Sequence, residues 1–208
     1  MSEQVLVPAD PRAMADLAVL VARARRADPD GAARLVAAAG VLAVWVSPLH
    51  GAGLPTVLGL RALALAEPAG TEVAVDTTVS LAAVAERLAR STQVLPVPPV
   101  QVLTASWAGV TPPRGGWAPL PDASAAALRS AARDGAALVA AGSRPSQVWR
   151  EPLPGAAGEA GGTTALAQAA DVLGFLAGDD VVHAARSGPW VRLSTARGHV
   201  LARPPLLG

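Results

Sequence analysis

The chain reads as an α+β protein: an antiparallel sheet, with strands from about 33–79 and 181–203, carries helices on one face and a long Pro-rich extended segment. Three observations predict this. Apolar residues recur at helical spacing after Asp10–Pro11, over 81–90, over 122–141 and up to Leu176. Short valine-containing runs divided by Gly, Pro or Asp fill 33–79 and return after residue 181. Between them, 96–121 holds seven prolines, too many for a helix or a central strand.

Asp10–Pro11 starts a helix, with a carboxylate at the N-cap and proline at the first helical position, where its missing N–H costs nothing. Met14, Leu17, Val21 and Ala24 form its apolar stripe; Arg23, Arg25 and Arg26 suit the negative end of its dipole. Asp28–Pro29–Asp30–Gly31 stops it. ARLVA, VLAVWVS, TVLGLRALALAE and EVAVDTTV predict three or four antiparallel strands, with turns near Ala39–Gly40, His50 to Pro55 and Pro68 to Gly70. Alanine leaves VLAVWV open to a helical reading. Ser80 caps a helix over 81–90, with Leu81, Val84 and Leu88 inward and a Glu86–Arg90 pair outward.

The Pro-rich tract also contains VQVLTASW, Trp107 and Trp117, which favours an extended strap anchored by its tryptophans over a free linker. Asp122 or Ser124 caps an alanine-rich helix to Ala141, and 144–149 adds a turn. Residues 151–162 predict a disordered, flexible loop. Thr163 or Thr164 opens a helix through Leu176, with Leu166, Ala169, Leu173 and Leu176 as its stripe and Gly178 at its end. VVHAAR, PWVRLST and HVLAR then predict a three-stranded meander, turning at Ser187–Gly188 and at Thr195 to Gly198. The expectation is one domain over 1–208, with a division near 95–121 as the alternative.

Composition excludes more chemistry than it suggests. All 17 basic residues are Arg, and there is no Cys, Tyr, Asn or Ile beside 48 Ala. That is the pattern of a GC-rich coding sequence. It removes disulfides, thiolate nucleophiles, Cys-ligated zinc, Schiff-base lysine and a Walker A loop. Sixteen acids balance the arginines, so the whole chain has no nucleic-acid footprint. Past Asp180 there is no further acid, however, while Arg186, Arg192, Arg197 and Arg203 follow with His183 and His199. The apolar window 35–49 is shorter than the roughly 20 residues of a membrane span. No secretory signal opens the chain, so a cytoplasmic location with no membrane contact is expected.

The tracts PPRGGW and SGPWVRLSTARGHVLAR, together with VLGLRALALAEP and ERLAR, resemble a group of uncharacterised proteins from high-GC actinobacteria. The resemblance spans most of the chain. It implies a bacterial, stand-alone cytoplasmic domain and carries over no activity, ligand, cofactor or site residue.

The candidate site is the C-terminal hairpin. With Ser187–Gly188 as a two-residue loop, Val182 faces Leu193 and Ala184 faces Val191. His183 then lies across from Arg192, and Ala185 from Trp190. That face offers a stacking surface, a fork donor for carboxylate or phosphate, and a titratable ring. Its ordinary reading is a solvated face with Trp190 under a helix. Arg186 and Arg197 sit near turns, and His50 in a surface loop. Arg114–Gly115–Gly116–Trp117 allows an anion nest but more simply reads as a tight turn placing Trp117 in the core. His183 and His199 lack metal-ligand spacing, so no metal is expected. Ser194 near His199 lacks the orienting acid of a triad, and Asp76, alone inside an apolar strand pattern, reads as an outward residue. Glu67 and Glu72 read as strand-end residues.

The expected function is therefore a non-catalytic binding or assembly protein acting through protein contacts, with a protein partner or a second copy. The alternative is an enzyme or ligand-binding domain for an anionic small molecule, using Arg114, Trp117, His183, Arg186, Trp190, Arg192 and His199. Nucleic-acid binding by the C-terminal arginines ranks third. No cofactor is implied.

Overall fold

The computed structural model describes residues 4–66 and 74–204. The turn expected at Pro68 to Gly70, and the acids Glu67 and Glu72, lie outside the described residues. The chain divides into two compact units, Met1–Ser47 with Leu60–Gly109, and Pro48–Gly59 with Val110–Gly208. Each is α+β with antiparallel strands. Among the described residues no helix is long and apolar enough to cross a membrane.

The first unit opens with β1 (Val5–Leu6) and α1 (Arg12–Ala27). Asp10 acts one residue earlier than a cap: Pro11 takes the N-cap position while the Asp10 carboxylate accepts from Arg12 N at 2.9 Å. The predicted stripe is buried, widened by Ala13 and Leu20. The strands β2 (Ala32–Ala38), β3 (Val41–Val46), β4 (Thr56–Ala64, of which Leu60 onward belongs to this unit) and β5 (Val75–Ser80) follow, in spatial order β5-β2-β3-β4. VLAVWV is thus a strand. In the register Leu35 faces Val44 and Thr77, and Ala33 faces Val46 and Val79. Leu35, Val44, Ala33, Val46 and Val79 are fully buried on that face. Next comes α2 (Leu81–Arg90), with Ser80 Oγ accepting from Ala83 N at 3.1 Å and Leu81, Val84 and Leu88 buried. Glu86 and Arg90 pair outside as expected. β6 (Leu95–Pro96) pairs with β1, and a 3₁₀ turn covers Ser106–Gly109. The tract from 95 to 109 is therefore an anchored strap: Val102 N donates to Thr78 O at 2.8 Å, and Trp107 is buried.

The second unit departs from expectation at its start. Strand β7, Ala118–Ser124, takes in the end of the Pro-rich segment and Asp122, the first of the two expected helix caps, while Ser124, the other, holds the N-cap position. Pro119 and Pro121 remain compatible because β7 is an edge strand, paired only with the next strand in order and irregular between Leu120 and Ala123. Asp122 therefore lies in a strand, and α3 (Ala125–Ala140) begins after Ser124. The turn α4 (Pro145–Val148) matches expectation. The segment expected as a disordered loop, 151–162, contains α5 (Ala156–Glu159), buried Leu153 and Ala157, and a bridge between Pro152 and Thr163. α6 (Thr164–Val172) packs against α3 and buries Leu166 and Ala169, with Leu173 and Leu176 buried beyond its end. It ends at Gly174 rather than Gly178. Gly174 has φ 74° and donates to Asp171 O, while Phe175 N reaches Ala170 O at 2.8 Å. That pair of bonds is the Schellman closure, which needs a left-handed residue.

β8 (Val181–Ser187), β9 (Trp190–Thr195) and β10 (Gly198–Arg203) form the meander, in order β10-β9-β8-β7. Its hairpin is closed by Gly188–Pro189, not Ser187–Gly188, because Ser187 pairs with Trp190. The register therefore slips by two. Ala184 faces Leu193, Ala185 faces Arg192 and His183 faces Ser194. A slip of two changes partners and preserves faces, since side chains alternate with period two.

Candidate functional site

One face of the meander is core: Val182, Ala184, Val191, Leu193, Val200 and Ala202 are buried. The other carries His183, Ala185 and Ser187 from β8; Trp190, Arg192 and Ser194 from β9; and His199, Leu201 and Arg203 from β10. Five predicted residues bear on this face. His183, Trp190, Arg192 and His199 share it, and Trp117 comes to it from the segment just before β7.

Two stacks dominate. The Arg192 guanidinium lies over Trp117, 4.4 Å from the ring centroid, and the Arg203 guanidinium over Trp190 at 5.5 Å. Both distances fall in the range where the ring quadrupole attracts a cation. The expectation of Trp117 in the core is thus corrected: it is half-buried, and its Nε1 donates to Pro113 O at 3.1 Å. Trp190 is buried as expected, but with a guanidinium against it. In the sequence Arg203 counts only as one of the C-terminal arginines, with no link to Trp190. It is directly opposite Trp190 only once the β9–β10 register is known, in which Val191 faces Ala202.

Neither Arg192 nor Arg203 has a hydrogen bond or ion pair among the described residues. Their Nε atoms are buried without partners, whereas their Nη atoms are not enclosed. A ligand can therefore meet each guanidinium only at its Nη end. Burial pulls the Arg192 pKa down, the direction expected for a cation losing water without gaining a counter-charge.

A polar row crosses the same face. His183 Nδ1 lies 3.0 Å from Asp122 Oδ1, on β7. Ser194, directly opposite His183, shares a 2.9 Å hydrogen bond with His199 Nδ1. The irregularity in β7 separates Leu120 and Ala123 in the pairing and leaves Asp122 within reach of His183. Among the described residues no group of three or more His, Asp or Glu is arranged to hold a metal.

Two predicted residues are elsewhere. Arg186 belongs to the core-face parity, at the exposed hairpin end, where its Nε donates to Gly188 O at 3.1 Å. Arg114 is exposed at a bend, and the arginines of the two stacks are Arg192 and Arg203. Outside the candidate face, Arg34 makes a two-pronged pair with Asp76, at 2.8 and 2.7 Å, and its Nη1 donates to Ala108 O at 2.7 Å. Asp76 is the outward residue the pattern suggests, and its function is to hold an arginine.

Residues 1–109 match the family model described as Domain of unknown function (DUF8010). Residues 112–207 match a second model, Domain of unknown function (DUF8185). Among curated proteins nothing matches.

Proposed function

We propose, for a chain that belongs to the DUF8010 family over its first 109 residues, a non-catalytic binding role in the cytoplasm, exercised through protein contacts at the outer face of β8–β10. The observation that carries this reading is the pair of guanidinium-on-indole stacks, each with its Nη end open and, among the described residues, no carboxylate attached. Trp and Arg are the side chains in which binding energy concentrates at protein interfaces, because they combine large apolar area with directed donors. A second copy of the same face is a poor occupant. A two-fold interface pairs this patch with the same patch of the other copy, so each arginine pair would meet a surface that already carries two cations, and like charges brought together without water cost several kcal/mol. A different protein of opposite charge fits better.

Photo-crosslinking in cells tests the reading. A benzophenone residue replacing His183, whose side chain is 72% exposed, is expected to give an adduct of discrete mass. The same group replacing Val41 in the first unit serves as the comparison. Adducts absent at 183, or equal at both positions, would overturn the proposal.

A further inference from the structure

Resting on that reading, we infer that the partner presents an extended, carboxylate-bearing peptide segment, with Glu or Asp on alternate residues meeting Arg192 and Arg203. The first unit shows what a sheet-face arginine takes in this protein: Arg34 on β2 reaches diagonally to Asp76 on β5 and donates Nε and Nη2 to that carboxylate, while Nη1 donates to Ala108 O. Arg192 and Arg203 occupy a comparable sheet face, yet Asp122, on β7 of the same sheet, is held by His183, and neither guanidinium has a carboxylate among the described residues.

The spacing also favours an extended segment. Arg192 faces Leu201, and Arg203 lies two residues further along β10. The two side chains are thus rooted on a cross-strand diagonal of about 7 Å. Alternate side chains of an extended peptide stand about 6.6–6.8 Å apart on one side. Each guanidinium, closed at Nε by its own packing, offers Nη1 and Nη2 end-on to one carboxylate. The indoles beneath hold the two planes without competing as acceptors.

Fluorescence anisotropy of the full chain with fluorescein-labelled hexaglutamate tests this, beside hexaglutamine and a labelled oligothymidylate of equal charge. Hexaglutamate is expected to bind best, and Arg192→Gln with Arg203→Gln to weaken it at least tenfold. Ser194→Asp keeps both arginines, supplies an internal carboxylate beside Arg192, and is expected to cause a similar loss with cooperative melting retained. Equal binding of hexaglutamine, tighter binding of the oligothymidylate, or hexaglutamate binding unchanged in both variants would overturn the inference. If hexaglutamate fails while the crosslink at 183 forms, the acidic-segment inference falls and the protein-contact reading stands. If both fail, both fall.

Discussion

The two units carry arginines on comparable sheet faces and treat them differently. In the first, Arg34 is closed by Asp76 and by the Ala108 carbonyl, Arg61 pairs with Asp16, and Arg90 with Glu86. A strap anchored by Trp107 runs along the same unit, hydrogen-bonded to β5. In the second, Arg192 and Arg203 rest on Trp117 and Trp190 with no acid attached among the described residues. Paired charge within a unit contributes to its own stability; unpaired, partly desolvated charge is a standing cost until a counter-charge arrives. The first face is therefore closed by its own partners, and the second is the face on which the proposed ligand would act.

The largest effect should come from the tryptophans. Trp107→Ala removes a buried anchor and is expected to cost about 3–5 kcal/mol in urea unfolding. Trp117→Ala, at a half-buried position, should cost about 1 kcal/mol and act mainly on binding. Equal losses would erase the distinction between the two faces.

The charge pair comes next. Arg34 holds the Asp76 carboxyl below its usual range, chiefly by hydrogen bonding. A group whose folded pKa is depressed contributes stability above its unfolded pKa and loses it as pH falls through the folded value. Asp76→Asn should therefore cost about 1 kcal/mol at pH 7, a modest figure because Asp76 is half-exposed. The difference from wild type should shrink as pH falls below about 4, read from midpoints across a pH series. Arg192→Gln, measured the same way, should show no such dependence.

The smallest effect separates the hairpins. The β2–β3 turn places Ala39 at φ 49°, where Gly188 stands at φ 54° in the β8–β9 turn. Ala39→Gly relieves a left-handed backbone that an L side chain disfavours, and should raise stability by up to about 1 kcal/mol. A loss in thermal melting would show that the turn tolerates its alanine.

Much of the scaffold was legible because periodicity is local. The stripe of α1, the Ser80 cap, the β2–β5 strands and the three strands of the meander can each be read within a short window. Even the mistaken hairpin register kept His183, Trp190 and Arg192 on one face, because an error of two residues preserves parity. β7 was hidden by Pro119 and Pro121, which argue against a strand unless it is known to lie at an edge. The stacks were hidden more deeply. Nothing near Arg192 in sequence announces Trp117, and Arg203 meets Trp190 only through the register of two strands. The same holds for Arg34 and Asp76, brought together by pairing across a long intervening segment.

The five tryptophan indoles report on both units at once. In a ¹⁵N-resolved NMR titration of the full chain with hexaglutamate, the Trp117 and Trp190 Nε1–H resonances should shift while those of Trp45, Trp107 and Trp149 stay in place. Shifts at Trp45 or Trp107, or none at Trp117 and Trp190, would contradict the claim that the second unit's open arginine face is the binding surface.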